Sequence, residues 1–418
     1  MEKRLCGMEK MSIRIITSAR ECQYIKRKVI IYGGGGYGTQ LYEKIYGYIK
    51  PEDIYVCDKD DRICENFPQF IYLKNLKDFV LQYQEVCFMI AVKDKDVVCD
   101  IHRILISMGI NEKDIYQYVP ELKEAWVSRK IKEGFFNGNQ AVHVMQDRKA
   151  KKYIESLIKG KEPFLCARWG AIEGKIVYRN KIGILREQDK EEGCNNAGIF
   201  PITDEVIAEY IKITEKAAKK IDVLCMGVWV PQLEELYRIY SPKAVPVSSM
   251  VLEICQDSVM LWTKALERMR VLVIHPFSAL IRQQYKKRKY LFSKLGEDIL
   301  PEMELITYQA VQSIGGTTEY MSWVSALEKM EKDISKIEFD IALIGCGSYG
   351  LPLGAYIKEK LNKKAIHVGG VLQLFFGIKG KRWDERGYDT WLYNEHWVRP
   401  TKDLRPLNYK NVENGCYW

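Results

Sequence analysis

The chain has 418 residues, of which 47% are hydrophobic and 28% charged, with a formal net charge of +9. Such a length predicts two or three domains rather than one core. The apolar runs fall well short of the ~20 residues a membrane span needs, and the opening "MEKRLCGMEKMSIRI" is too mixed in charge for a secretory signal. The twelve cysteines form no CxxC pair, which argues for reduced, buried thiols and against a zinc site or disulfide framework. The five histidines show no HExxH or HxH spacing. The cytosol is therefore the expected location.

The first module is expected to be Rossmann-like and to span 1–120. The apolar run 29–32 reads as a strand. Gly33, Gly35 and Gly38 follow it at G-x-G-x-x-G spacing, and "TQLYEKIYGYI" continues as a helix. Asp58 ends the next apolar run, at the spacing where an acid can hold a ribose hydroxyl. Glycines permit the tight turn and the approach of a phosphate to the helix N-terminus. "EVCFMIAV" and "IYQYV" read as two further strands around the helix "DVVCDIHRILISMG". That is half of a full dinucleotide-binding fold. It predicts either a mononucleotide or sugar-nucleotide site or a docking module without ligand.

Residues 121–162 read as a polar, basic, helical stretch broken at "NGN", the linker together with the lead helices of the second domain. From 163 to 418 strands alternate with helices: "FLCAR", "DVLCMGV", "VLVIHPF", "MELITYQ", "IALIGCG" and "AIHVGG". That alternation predicts an α/β fold with a doubly wound, mostly parallel sheet. In such sheets ligands bind beyond the carboxyl ends of the strands. "FLCARWGAIEGKI" places Arg168 and, five residues on, Glu173 at such an end. The stretch reads either as a ligand site or as an ordinary strand–turn–helix junction in which Glu173 favours the positive helix N-terminus.

Other strand ends and loops carry polar groups or glycines suited to a diphosphate and a sugar. Asn195 and Asn196 offer amides for a sugar or base edge, or form a plain turn. Gln312 and Ser313 precede paired glycines whose backbone N–H groups suit a phosphate. Gly345, Gly347 and Ser348 form a turn between strand and helix, again with amides for a diphosphate. Gly369 and Gly370 end the strand after it. His275 is the histidine best placed for acid–base work, or else a structural one. Gln373, and Glu395, His396 and Arg399 in the aromatic tail, are further candidates; the tail reads either as a sugar-stacking surface or as a docked C-terminus.

The order of these motifs resembles the GT-D-fold glycosyltransferases, bacterial enzymes of polysaccharide and glycoprotein assembly, over about 140–380. In that family a strand ends in Arg-aromatic-Gly-Asp-Gly-Glu, and the two carboxylates serve the nucleotide sugar and a divalent metal. Here Arg168, Trp169, Gly170 and Glu173 match, while Ala171 stands where the first carboxylate belongs. "IALIGCGSYGLPLGAYIKEKLNKKAIHVGG" follows the family's "AIDIGH" region, with His367 in place of Asp and Gly370 in place of His. The resemblance implies transfer from a nucleotide-sugar donor to a glycan or lipid-linked acceptor. It implies Arg168 and Gly170 at the donor, Glu173 as a catalytic residue and Mg²⁺ or Mn²⁺ ligand, and no covalent cofactor. The lost carboxylate points equally to a site without metal.

Two other functions remain open. One is a nucleotide-dependent oxidoreductase or nucleotide-sugar-modifying enzyme working through the N-terminal glycine loop. The other is a non-catalytic nucleotide- or glycan-binding protein. The basic clusters at 148–152 and 286–289 suit an anionic acceptor or peripheral contact with the inner membrane face, or are solvated helix faces. No RNA-binding or helix-turn-helix signature accompanies them, so no specific nucleic acid is expected.

Overall fold

A computed structural model describes residues 13–17, 22, 25, 27–83, 85–120, 144–227, 230, 232–254, 262–295, 299–316 and 318–418. The chain forms two compact units. One comprises Met1–Arg129 with Arg179–Ile184, the other Lys130–Tyr178 with Leu185–Trp418. Most of the expected linker, 121–143, lies outside the described residues. Its last part leads into the second unit. The helix Asp147–Lys159 buries Ala150, Ile154 and Ile158 in the core of the second unit, because its apolar residues recur at i, i+4, i+8 on one face.

The first unit holds a five-stranded sheet: β1 (Arg14–Ile16), β2 (Lys28–Tyr32), β3 (Ile54–Cys57), β4 (Val86–Ile90) and β5 (Ile115–Tyr118). The strand order is β1-β5-β4-β2-β3 and every pair is parallel. β2 and β4 are central and covered on both faces, which is why they read as unbroken apolar runs. β1 was not evident from the sequence: it is three residues long, and only Ile16 is buried.

The loop after β2 shows why glycine is needed there. Gly33 sits at φ +105°, and a Cβ on it would lie 2.9 Å from the Ala91 carbonyl oxygen. A Cβ on Gly38 would overlap the Gly33 carbonyl, so the helix Gly36–Ile45 starts only because that residue has no side chain. Gly38→Ala should lower the stability of the first unit by roughly 1–3 kcal/mol, the usual scale of overpacking. Denaturant unfolding checks this, and an unchanged midpoint would mean that the loop is not held as described.

The second unit holds a seven-stranded sheet: β6 (Leu165–Ala167), β7 (Val223–Met226), β8 (Val245–Ser248), β9 (Arg270–His275), β10 (Glu304–Gln309), β11 (Ile341–Ile344) and β12 (Lys364–His367). The order is β10-β9-β11-β12-β6-β7-β8, again with every pair parallel. Side chains alternate between faces. Val271, Val273, Ile341, Leu343 and Ile366 enter one large core with Trp262, Phe277, Trp383, Trp397 and Trp418. On Leu272, Ile274, Ala342 and Ile344 the period of two points to the opposite face. The helices Asp204–Ala218, Trp323–Ile334 and Gly350–Leu361 pack against one another.

β8 was not expected. It is an edge strand containing Pro246, and an edge tolerates the missing N–H that a central position would not. The described cysteines are free thiols, most of them buried. Among the described residues no helix is long and apolar enough to cross a membrane.

Candidate functional site

All seven strands of the second sheet are parallel, so their carboxyl ends share one edge. From β6 the chain proceeds outward through β7 to β8, away from its other neighbour β12. The order reverses between β9, which leads outward to β10, and β11, which leads the other way to β12. An open parallel sheet offers its ligand crevice at such a reversal, and the carboxyl ends of β12 and β6 lie next along that edge. Arg168 follows β6 and Gly369 follows β12. A Cβ on Gly369, whose φ is +77°, would lie 3.3 Å from Arg168 Cδ and 3.4 Å from Nε. The guanidinium thus lies along the bare Gly369 backbone, and both the turn and the close approach require glycine.

Glu173 lies in the first turn of the helix Ala171–Lys181. Its carboxylate folds back over Gly170, where any Cβ would overlap it. Burial raises its pKa above the usual carboxylate range. Its own backbone N–H and the charge of Arg168 oppose that shift, and Glu413 adds to it. Glu253 is raised in the same way by burial, against the charges of Arg168, Arg386 and Arg382. Three arginines and three carboxylates thus share one electrostatic neighbourhood.

His367, where the resembled pattern has Asp, is buried against Gly350. Burial first, and then the Arg168 charge, bring its pKa down to about 3. Gly370, where that pattern has His, faces the C-terminal segment. A Cβ there would lie 2.5 Å from Cε1 of Tyr417. Gln373 is a clamp for the same segment: it is buried, and its Nε2 donates to the carbonyls of Ile378, Lys379 and Tyr417. Glu395 is exposed beside His396, and Trp397 is buried and donates to the Leu291 carbonyl at 2.6 Å. The tail is docked.

The remaining candidates of the second unit form a different cluster. Ser348 Oγ donates to the Ala197 carbonyl at 2.6 Å and accepts from Trp323 Nε1 at 2.8 Å. Ser313 Oγ donates to the Gly198 carbonyl at 2.8 Å and lies 2.9 Å from the Tyr349 hydroxyl. Both serines are buried, so their hydroxyls hold the turn Gly193–Ala197, with Asn195 and Asn196, against the Gly347 turn. Asn195, Asn196 and Gln312 keep partial exposure. Gly345 lies closer to the crevice: a Cβ there would meet the Gly369 carbonyl at 2.8 Å and His275 Cδ2 at 2.9 Å. His275 is buried, accepts the Phe277 N–H at Nδ1 over 3.0 Å, and is pushed by burial to about 3. A base so weak is neutral near pH 7 and serves as a hydrogen-bond acceptor rather than a proton carrier.

In the first unit, Asp58 accepts the Gly34 N–H at 2.7 Å and the Asp60 N–H at 3.0 Å. Its carboxylate thus fastens the glycine loop to the end of β3, leaving its remaining lone pairs for any ribose. A Cβ on Gly35 would meet nothing within 4 Å, so the loop is open at the helix start.

The resemblance implies a divalent cation. Mg²⁺ and Mn²⁺ prefer a set of oxygen ligands. Position 171 is alanine, the Glu173 carboxylate is turned onto its own helix start, and Arg168 places a positive charge beside it. Among the described residues no group of three His, Cys, Asp or Glu side chains converges in a way that could hold a metal. These residues do not fit the implied ion.

The model of the GT-D fold-like domain matches residues 145–375. No curated protein matches the chain. A solved structure, a selenomethionine-substituted domain of unknown function called DUF1792, is 12% identical with a TM-score of 0.33, covering 62% of this chain and 95% of that one. That likeness is too low to carry an inference. The family model spans more than half of the 418 residues, and with two all-parallel sheets and Arg168 at the carboxyl edge of the second, the chain belongs to the GT-D-like family and has a glycosyltransferase-like fold in its second unit.

Proposed function

We propose that the protein is a glycosyltransferase that takes a sugar from a nucleoside-diphosphate donor to a hydroxyl of a glycan or lipid-linked acceptor. The observation carrying this reading is the pairing of Arg168 with the bare Gly369 backbone where the carboxyl ends of the neighbouring strands β6 and β12 meet. In the reaction an acceptor oxygen bonds to the anomeric carbon, the bond from that carbon to the phosphate oxygen breaks, and the diphosphate leaves with the electron pair. Charge grows on the leaving oxygens, where a fixed guanidinium is most effective. Glu173, whose charge couples to that of Arg168, is assigned to the donor sugar or ribose. Burial makes His275 a weak base, so the proton of the acceptor hydroxyl passes to the departing diphosphate or to solvent.

Exposed Arg282, Lys286, Lys287 and Lys289 support an acceptor with anionic groups or one at an anionic membrane face. Incubating the full chain with a panel of nucleotide sugars and a lipid-phosphate acceptor tests both points. Nucleoside diphosphate should be released from one donor, with a rate that falls as salt screens the basic stretch. Release from no donor would overturn the reading. A salt-independent rate would remove the acceptor part alone.

The second reading, a nucleotide site on the first unit, is favoured by one observation: Asp58 ties down an otherwise open glycine loop. NAD, NADP, UDP and CDP titrated into the protein would test it, and binding abolished by Gly35→Val is the result it requires.

A further inference from the structure

The family-matched region ends at residue 375, yet the candidate donor crevice does not. Tyr417 lies on Gly370, whose φ is not left-handed. Glycine is therefore needed there for the space the ring takes, not for the turn. Arg382 stacks over the Tyr417 ring with its guanidinium carbon 4.7 Å from the centroid. Its Nη1 donates to the Tyr417 hydroxyl at 3.3 Å and its Nη2 to Glu413 at 2.6 Å. Arg382 retains partial exposure. The Gly369–Gly370 turn is thus flanked by one arginine lying along Gly369 and by a second stacked on the ring that covers Gly370. Arg386, exposed, adds a third positive charge felt at Glu253.

We propose that the C-terminal segment completes the donor site, with Arg382 on its Tyr417 platform binding the diphosphate together with Arg168, so that two guanidinium groups take the place of a divalent cation. This rests on the glycosyltransferase reading and goes beyond it, because it names residues outside the matched region and the means of charge neutralisation. Guanidinium forks suit phosphate oxygens. Two of them flanking a bare glycine turn supply positive charge where Ala171 and the turned-back Glu173 provide no metal set. Glu413 acts as the internal counter-ion, occupying Arg382 until an anion takes its place.

The test is calorimetric binding of UDP, GDP, CDP and ADP to the full chain, in EDTA and again with Mn²⁺. One of the four should bind in EDTA, and Mn²⁺ should change its affinity little. Arg382→Met should weaken that binding roughly tenfold or more, the scale of one lost charged hydrogen bond. Glu413→Gln should tighten it severalfold by freeing the guanidinium. If Arg382 only pins the tail, both variants weaken binding or neither changes it, and the proposal fails. Should Arg382→Met not fold, the Glu413→Gln arm decides alone: tighter binding supports the proposal, unchanged or weaker binding overturns it. Binding that requires Mn²⁺ overturns the arginine proposal while leaving the glycosyltransferase reading standing. Binding of none of the four under either condition overturns that reading as well.

Discussion

Arg168→Met is expected to slow sugar transfer about a hundredfold or more, with a fall in melting temperature too modest to account for that loss. The magnitude follows from the loss of a charged donor to developing negative charge, typically 10²–10³ in turnover. The structural cost is modest because the side chain runs along the Gly369 backbone and keeps partial exposure, and it comes mainly from the charge Arg168 lends to Glu173 and Glu253. Methionine keeps much of the apolar stem. Arg168→Lys should recover only a minor part, because an ammonium cannot present the planar fork. A second signature accompanies the loss. Arg168 holds down the pKa of both Glu173 and Glu253, so without it both carboxyls rise further. Transfer rate and melting temperature measured side by side check this. Near-normal transfer in Arg168→Met would remove the residue from the site.

The second large effect is on stability in acid. His275 and His367 each have a pKa near 3 in the folded protein, against 6.5 for the ordinary group. The folded-state values are depressed, so between about pH 6.5 and pH 3 the unfolded chain binds protons that the folded chain refuses. Stability therefore falls as pH drops through that window, with a slope approaching roughly 1.4 kcal/mol per pH unit for each histidine. Raised carboxyls such as Glu173, Glu253 and Glu331 run the other way, so the total slope is a poor readout. The difference between wild type and His275→Asn isolates one histidine. Asparagine offers an acceptor to the Phe277 N–H and has no proton to gain. The variant should lose stability less steeply below pH 6.5, by about 2 kcal/mol at pH 5. Parallel curves for the two proteins would show that His275 is not buried neutral.

Much of this molecule was legible in the sequence because its sheets are parallel and covered on both faces. Such strands are short apolar runs, and β2, β3, β4, β5, β6, β7, β9, β11 and β12 fall on runs that stand out, while the partly exposed edge strand β10 stands out by Leu305, Ile306 and Tyr308. β1 and β8 do not stand out. They are edge strands, one of three residues and one interrupted by Pro246. In the helix Asp147–Lys159 the polar face dominates the composition, which blurs the border between linker and lead helix, while Ala150, Ile154 and Ile158 hold the core spacing.

At the site, Arg168, Glu173 and Gly369 were legible because chemistry at a strand end stands out against an apolar strand. The cluster around Ser313 and Ser348 was half legible. Residues 313 and 348 were singled out, but bonds to the Ala197 and Gly198 carbonyls depend on contacts more than 100 residues apart. Tyr417 and Arg382 were missed altogether. Nothing periodic marks a tail that folds back, and the one available signal was Gly370 itself, a glycine following a glycine with no turn of its own to make.

The central claim is that the donor nucleotide sits at the edge between β6 and β12 of the second unit. Amide hydrogen exchange of the full chain with and without saturating nucleoside diphosphate tests this most directly. Protection is expected at the Arg168–Lys175 turn, at Gly345–Gly350 and at Gly369–Gln373, and it should be absent in Arg168→Met. Protection confined to the Gly33–Gly38 loop, or unchanged in Arg168→Met, would contradict it.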